Sequence, residues 1–342
     1  MTYIPLLVVQ IPAYNEASNI AEAINDIPKS IPGVGKIIIQ VMDDGSRDNT
    51  TEVALESGAQ YVVRHTTNLG LSHAFMSGIN HALQLGADII VNTDADSQYP
   101  GRKIADLVAP IINQEADIVI GDRQPGKNQH FPPHKRLLQV IGSWFVSRLS
   151  GAQVKDAASG FRAYSRYAAL RLQVFNEFSY TLETIIQSNR EHIRIVYVPI
   201  DTNPAVRPSR LHKGILNFLY KQGGTIIRSF VLYRPIRTAV IIGSPMLIAG
   251  LALILRFLFV YIQGGSGYVR YVQSVSIGGT LFLFGILIYS VGFLGDALRT
   301  NMRMLQEILV RMRNTPQGPG DHTYDHLEVR TCKTKDDKIL KS

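Results

Sequence analysis

Residues 88–96 read DIIVNTDAD. Ile89, Ile90 and Val91 form a β-branched run of the kind that a strand buried on both faces needs. The run ends in Asp94-Ala95-Asp96, so the strand delivers two carboxylates to its carboxyl end. A lone DxD occurs by chance, and its weight comes from repetition of the pattern. Leu6–Ile11 runs into Tyr14-Asn15-Glu16, Lys36–Met42 into Asp43-Asp44-Gly45-Ser46, and Asp117–Asp122 into Arg123. Tyr61–Arg64 adds a further short strand. Between these runs, residues 17–27, 49–57, 71–85 and 102–114 carry helical spacing, with Asp48 as a capping residue. Alternating strands and helices predict an α/β fold with a mainly parallel sheet covered on both faces. In such sheets ligands bind outside the carboxyl ends of the strands, where the polar residues collect here.

Composition narrows the chemistry. The 342 residues hold Lys+Arg 35 and Asp+Glu 27, a net charge of +8, with 46% hydrophobic residues. That excludes a wholly disordered chain. The single cysteine, Cys332, excludes an internal disulfide and a cysteine-based zinc site. Several carboxylates on one rim repel one another, and a cation offsets that cost. Oxygen ligands without Cys or His select Mg²⁺ or Mn²⁺, which also bind substrate phosphates. A metal–diphosphate site is therefore expected at the sheet edge. His65, His73 and His81 show no ligand spacing and read as packing or surface groups.

The apolar residues concentrate in the last third of the chain. Residues 238–255 and 271–295 contain no charge. As helices they reach ~27 Å and ~37 Å, against a hydrocarbon core of ~30 Å. Lys221, Arg228, Arg234 and Arg237 precede the first segment, and Arg299, Arg303, Arg311 and Arg313 follow the second. Only Arg256 and Arg270 lie between them. The positive-inside rule then places both chain ends in the cytoplasm. No signal peptide is expected, because the apolar run at Ile4–Ile11 passes straight into IPAYNE. The expected organisation is a cytoplasmic catalytic domain (1–210), an amphipathic juxtamembrane segment (211–235) and two spans within 236–298, at about 236–262 and 271–295. A cytoplasmic tail, partly flexible, would follow over 299–342. Within 214–231 the apolar residues gather near one helical face, an interfacial pattern that Gly223-Gly224 weakens. Trp144 and Phe145 read as part of a buried helical stripe. Gly278, Gly279 and Gly285 permit close helix packing and are compatible with a homo-oligomer. Nothing in the placement of the basic residues calls for nucleic acid.

IPAYNE, DDGSRDNT, DADSQYP, GDRQPG and KDAASGFRAYSR, in that order, resemble the family-2 glycosyltransferases of the GT-A fold. With the apolar hairpin, the whole resembles polyprenyl-phosphate glycosyltransferases, the group of dolichyl-phosphate mannose synthase and bacterial polyprenyl-phosphate glucosyltransferases. The resemblance implies that Pro12, Tyr14 and Glu16 line a nucleotide pocket, with Asp43 and Asp44 on base and ribose. It implies that Asp94, Ala95 and Asp96 form the DxD element, that Asp94 and Asp96 hold the ion with Gln98, and that Arg123 lies near donor phosphates or acceptor. Asp156 matches the position discussed as catalytic base. The basic loop with Arg207, Arg210 and Lys213 matches a segment that closes on the phosphates.

The implied activity is metal-dependent, inverting transfer of a sugar from a UDP- or GDP-sugar to polyprenyl phosphate at the cytoplasmic membrane face. The membrane would be the cell membrane of a prokaryote, or the endoplasmic reticulum of a eukaryote. Two rivals stand beside it. One is a family-2 transferase acting on another lipid or a polysaccharide, although processive synthases carry more spans and a QxxRW-type motif, neither found here. The other is a catalytically silent, membrane-anchored nucleotide-sugar-binding scaffold, against which the intact DAD and basic loop speak.

Overall fold

A computed structural model describes residues 4–125, 147, 154–174, 180–203, 235–263, 272–314 and 327–332. The expected basic loop with Arg207, Arg210 and Lys213, the amphipathic segment 214–231, and Trp144 and Phe145 lie outside the described residues. The chain divides into two compact units, Met1–Arg210 with Val310–Ser342, and Leu211–Leu309.

The first unit is built on a sheet. Its strands are β1 (Leu6–Ala13), β2 (Lys36–Asp43), β3 (Tyr61–His65), β4 (Ile89–Asn92), β5 (Ile118–Asp122), β6 (Arg162–Ser165), β7 (Ile195–Pro199) and β8 (Leu327–Thr331). The order across the sheet is β7-β5-β6-β4-β1-β2-β3-β8. β1 pairs in parallel with β2 and β4, β2 with β3, and β5 with β7, whereas β6 and β8 run antiparallel. The helices are α1 (Ile20–Asn25), α2 (Thr50–Glu56), α3 (Leu71–Gln84), α4 (Ile104–Ile112), α5 (Arg166–Arg171) and α6 (Tyr180–Arg190). One face of the sheet packs Ile20, Ile24, Ala54, Leu107 and Val108 from α1, α2 and α4. The other packs Phe75, Ile79, Ala168, Leu182 and Ile185 from α3, α5 and α6. Covering both faces explains why the strands read as unbroken apolar runs, with seven of the eight residues of β1 buried.

A polar chain crosses this core. His81 Nδ1 lies 2.8 Å from Gln40 Oε1, so the imidazole donates from Nδ1. Gln40 Nε2 donates to the Gly78 carbonyl at 2.8 Å and to Gln10 Oε1 at 3.4 Å. Gln10 Nε2 donates to Asn92 Oδ1 at 2.9 Å. Each amide is oriented by its neighbour, as buried polar groups require. Burial pushes the His81 pKa down to about 4. Protonation therefore favours the unfolded chain, whose histidine titrates near 6.5. Stability contributed by the neutral ring is present above pH 6.5 and is lost as pH falls toward 4, by roughly 1–3 kcal/mol in full. Thermal midpoints measured in detergent from pH 7 to 4 should fall more steeply for the natural chain than for His81→Gln. Parallel profiles would contradict the assignment.

Two elements fall in the region expected as a tail. The helix that begins at Val272 runs on to Asn314, beyond the apolar stretch, because the Arg, Glu, Met and Leu of 299–313 are good helix formers. The Thr315-Pro316 step then disfavours its continuation. Near this end, Arg313 Nη1 donates to the carbonyls of Leu172 (3.0 Å) and Leu170 (3.3 Å), at the end of α5. Farther on, β8 pairs Leu327 with His65 and Thr331 with Tyr61, and so covers the edge of β3. Arg330 Nη1 also reaches Glu52 Oε1 at 3.3 Å.

The second unit contains α7 (Pro235–Ile262) and most of α8 (Val272–Asn314), both long and apolar enough to cross a membrane. Their large side chains point outward, Ile248 at 67% and Phe293 at 74% exposed. Their mutual seam is lined by small residues. A methyl added at Gly250 would lie 2.7 Å from the Gly278 carbonyl oxygen, and one at Gly285 2.6 Å from Leu247. Ser244 and Tyr289 close the seam with a 2.7 Å hydroxyl pair. Gly278 and Gly285 are thus used within the chain, whereas Gly279 faces open space.

Candidate active site

The loops after β1 and β2 are laced together at the carboxyl edge. Asn15 N donates to Ser46 Oγ at 2.9 Å, and Arg47 N returns a bond to Asn15 Oδ1 at 2.8 Å. Glu16 N donates to Thr50 Oγ1, and Ala17 N to Asp48 Oδ2. Asp48 also accepts from the Thr50 amide in a local turn, but the N-cap position of α2 is Asn49, one residue later than the expected cap. Asn15, Ser97 and Gln124 all have φ near +50°. These are strained positions for residues with a side chain, and they follow β1, β4 and β5 at the same rim.

The two aspartates after β2 are buried and engaged. Asp43 Oδ1 accepts from Ser46 N at 2.8 Å, and Oδ2 from Thr51 Oγ1. Arg64 Nε stands 3.7 Å from Asp43 Oδ2, while Arg64 Nη2 donates to the Ser46 carbonyl. Asp44 accepts from the amides of Leu69 and Gly70, and from His65 Nδ1 at 2.7 Å. His65 Nε2 continues to Ser77 Oγ at 3.0 Å. Both carboxylates therefore fix the conformation of the loops at this edge. Pro12 and Glu16 are buried and Tyr14 is half-buried at the same edge.

The DxD element is set differently. Asp96 Oδ1 accepts from Gln98 N at 3.2 Å. Asn203, after β7, grips the same loop through Ser97 O (2.8 Å) and Gln98 O (3.0 Å). The Asp94 carboxyl is pushed up to about 7, first by burial, then by the Asp96 charge, with Glu16 adding and Arg123 opposing. Asp94 thus lies within the electrostatic reach of Asp96, Glu16 and Arg123. Among the described residues no three His, Cys, Asp or Glu side chains are grouped to hold an ion unaided. The pair Asp94–Asp96, with Gln98 beside it, fits a hard divalent cation by donor chemistry, since a cation relieves the repulsion that raises Asp94.

Arg123 and Asp156 form a buried bidentate pair, with Nε to Oδ2 at 2.7 Å and Nη2 to Oδ1 at 2.8 Å. Amides of Arg123 and Ala158 also donate to Asp156. Burial alone would raise the Asp156 pKa, but the Arg123 guanidinium and these bonds hold it below the usual carboxylate value. The fully buried Arg162 stitches the preceding loop, donating to the carbonyls of Ser159, Ala157 and Thr181 and to Thr184 Oγ1.

Residues 8–178 match the model of the glycosyl transferase family 2 domain. The chain belongs to that family. It is 31% identical over 221 residues to the UDP-N-acetylglucosamine–dolichyl-phosphate N-acetylglucosaminyltransferase of Methanococcus voltae, spanning 58% of this chain and 85% of that protein. It is 28% identical over 200 residues to the undecaprenyl-phosphate mannosyltransferase of Micrococcus luteus, over 56% and 80% of the two chains. Its fold is similar to that of glucosyl-3-phosphoglycerate synthase from Mycobacterium tuberculosis, solved with Mn²⁺, UDP and phosphoglyceric acid. The TM-score is 0.51 at 21% identity, over 66% and 78% of the chains.

This family-2 glycosyltransferase has the GT-A-like mixed sheet that its motif order implied. Sequence reasoning missed Asn203 and Arg162 as scaffold residues, whereas His65 is a buried packing group as expected. Arg162 lies inside the quoted KDAASGFRAYSR, and its charge in an apolar setting was the available signal. Nothing in sequence links Asn203 to Ser97.

Proposed function

We propose that this glycosyltransferase moves a sugar from a nucleotide-sugar donor to polyprenyl phosphate at the cytoplasmic membrane face, with inversion at the anomeric carbon. The carrying observation is the acidic pair Asp94–Asp96 at the rim, with Asp94 raised by burial and by its neighbour's charge. A bound Mg²⁺ or Mn²⁺, held by Asp94, Asp96 and Gln98, would supply Lewis-acid stabilisation of the departing diphosphate. The chain's own residues do the rest. The laced 14–16 and 43–50 loops receive the nucleoside, with Pro12, Tyr14, Glu16, Asp43 and Asp44 shaping the pocket. Arg207 and Arg210, with Lys213, add charge-assisted bonds to phosphate; Arg207 lies only four residues beyond Asn203 in sequence.

The pairing of Asp156 supports an acceptor that needs no general base. A carboxylate held ionised by Arg123 is a poor proton acceptor. A lipid phosphate needs none, because its second pKa lies near ~6 and its attacking oxygen is already charged at pH 7. Asp156 then positions Arg123. Relatives named for dolichyl- and undecaprenyl-phosphate transfer support this acceptor class. The two apolar helices, flanked by basic residues, support a membrane site facing the cytoplasm.

Purified full-length protein, incubated with radiolabelled UDP- and GDP-sugars and undecaprenyl or dolichyl phosphate, tests the proposal. The expected product is one labelled phosphate-linked lipid, formed only with Mg²⁺ or Mn²⁺. Label appearing only as free sugar, or only in polymer, would refute it.

A further inference from the structure

The polar chain that crosses the core ends beside the acidic pair. Asn92 gives its Oδ1 to Gln10, so its Nδ2 is left to face the other way. There it donates to the Gly160 carbonyl at 2.9 Å and to the Tyr180 hydroxyl at 2.9 Å. The Tyr180 hydroxyl in turn donates to the Gly160 carbonyl at 3.3 Å, and the Gly160 amide points to the Tyr99 hydroxyl at 3.4 Å. Both tyrosines are themselves fixed. Tyr180 stacks on Phe75 with ring centroids 4.1 Å apart, and Tyr99 on Phe161 at 5.0 Å. The Gly160 peptide is thus held on both of its polar atoms.

Its α-carbon faces Asp94. A methyl added to Gly160 would lie 3.1 Å and 3.5 Å from the two Asp94 carboxylate oxygens and 3.0 Å from the Tyr180 hydroxyl. The φ of Gly160 is not in the left-handed region, so backbone freedom does not explain a glycine here. Space does. The bare backbone forms a wall beside the carboxylate, and the wall is pinned by Asn92, Tyr180 and Tyr99.

We propose that Gly160, held in place by Asn92 and Tyr180, is the positioning element that sets the Asp94 carboxylate for cation binding. This rests on the metal-dependent reading proposed above and goes beyond it, because it assigns the orientation of a cation ligand to Asn92 at the end of β4, to the loop at Gly160 and to Tyr180 of α6. Asn92, Tyr180 and Gly160 are positioning residues, since none of them is placed on the ion. Such supporting contacts are worth about 10–100-fold in metal affinity.

The test is a titration of full-length protein with Mn²⁺ alone, followed by electron paramagnetic resonance of the free ion, alongside thermal midpoints. Gly160→Ala should weaken Mn²⁺ binding about tenfold or more. Tyr180→Phe keeps the stack on Phe75 and loses only the hydroxyl, and should weaken it about threefold without lowering the midpoint appreciably. Both variants should raise the Mn²⁺ concentration for half-maximal transfer while largely keeping kcat at saturating metal, a split that general loosening of the fold would not produce. Affinities within about twofold of the natural protein in both variants would overturn the proposal. If Gly160→Ala does not fold, Tyr180→Phe decides alone. Failure of the natural protein itself to bind Mn²⁺ would instead overturn the metal reading, and this inference with it.

Discussion

Replacing Asp96 by alanine is expected to lower sugar transfer about 10³-fold while the protein stays folded. A divalent Lewis acid on a leaving diphosphate contributes several kcal/mol, and each 1.36 kcal/mol is a factor of ten in rate. Asp96 is only half-buried and accepts from the Gln98 amide in its own loop, so little of the core depends on it. Its loss would also remove the charge that helps to raise Asp94. A single partly buried carboxylate then remains for an ion that binds best to several oxygens. Initial rates at saturating donor, with thermal midpoints for both proteins, provide the check. Asp106→Ala, at an exposed residue paired with Lys103, should leave the rate unchanged. A rate for Asp96→Ala within tenfold of the natural protein would contradict the metal assignment.

Replacing Arg123 by methionine should destabilise the catalytic unit by about 3–5 kcal/mol. The reason is the carboxylate left behind. Asp156 is 1% exposed and loses both guanidinium bonds, keeping only amide donors around a buried charge. The double substitution Arg123→Met with Asp156→Leu removes that charge as well, and should recover most of the stability. It should not recover transfer if Arg123 serves the donor phosphates or the acceptor. Chemical denaturation and rate measurements on the single and double variants separate the two roles. A stable single variant would contradict the buried pair, and an active double variant would contradict a catalytic use of Arg123.

Much of this architecture is legible in sequence because it is local. Each of the five strands from Leu6 to Asp122 is a short β-branched run followed by polar residues, so strand position and rim chemistry are read together. α3 follows from the spacing of Ala74, Phe75, Gly78, Ile79, Ala82 and Leu83, all of them buried. What stays hidden depends on distant partners. β6 inserts antiparallel between β4 and β5, though RAYS alternates too briefly to announce a strand. β8 is five residues in a polar stretch, and only the open edge of β3 makes it a strand. The site divides in the same way. The carboxylates of Asp94 and Asp96 are visible as a motif. The engagement of Asp43 and Asp44 by Thr51, His65 and the Leu69 and Gly70 amides is not, because it depends on how the following helix, strand and loop fold back onto the end of β2.

The acidic pair at the carboxyl edge of β4 is expected to grip a divalent ion against the donor's diphosphate. Crystals of the protein grown with Mn²⁺ and the donor nucleotide, measured at the manganese absorption edge, address it without kinetics. The account predicts an anomalous peak within coordination distance of Asp94, Asp96 and two phosphate oxygens. A nucleotide bound with no such peak, and with both carboxylates turned away from it, would contradict the account.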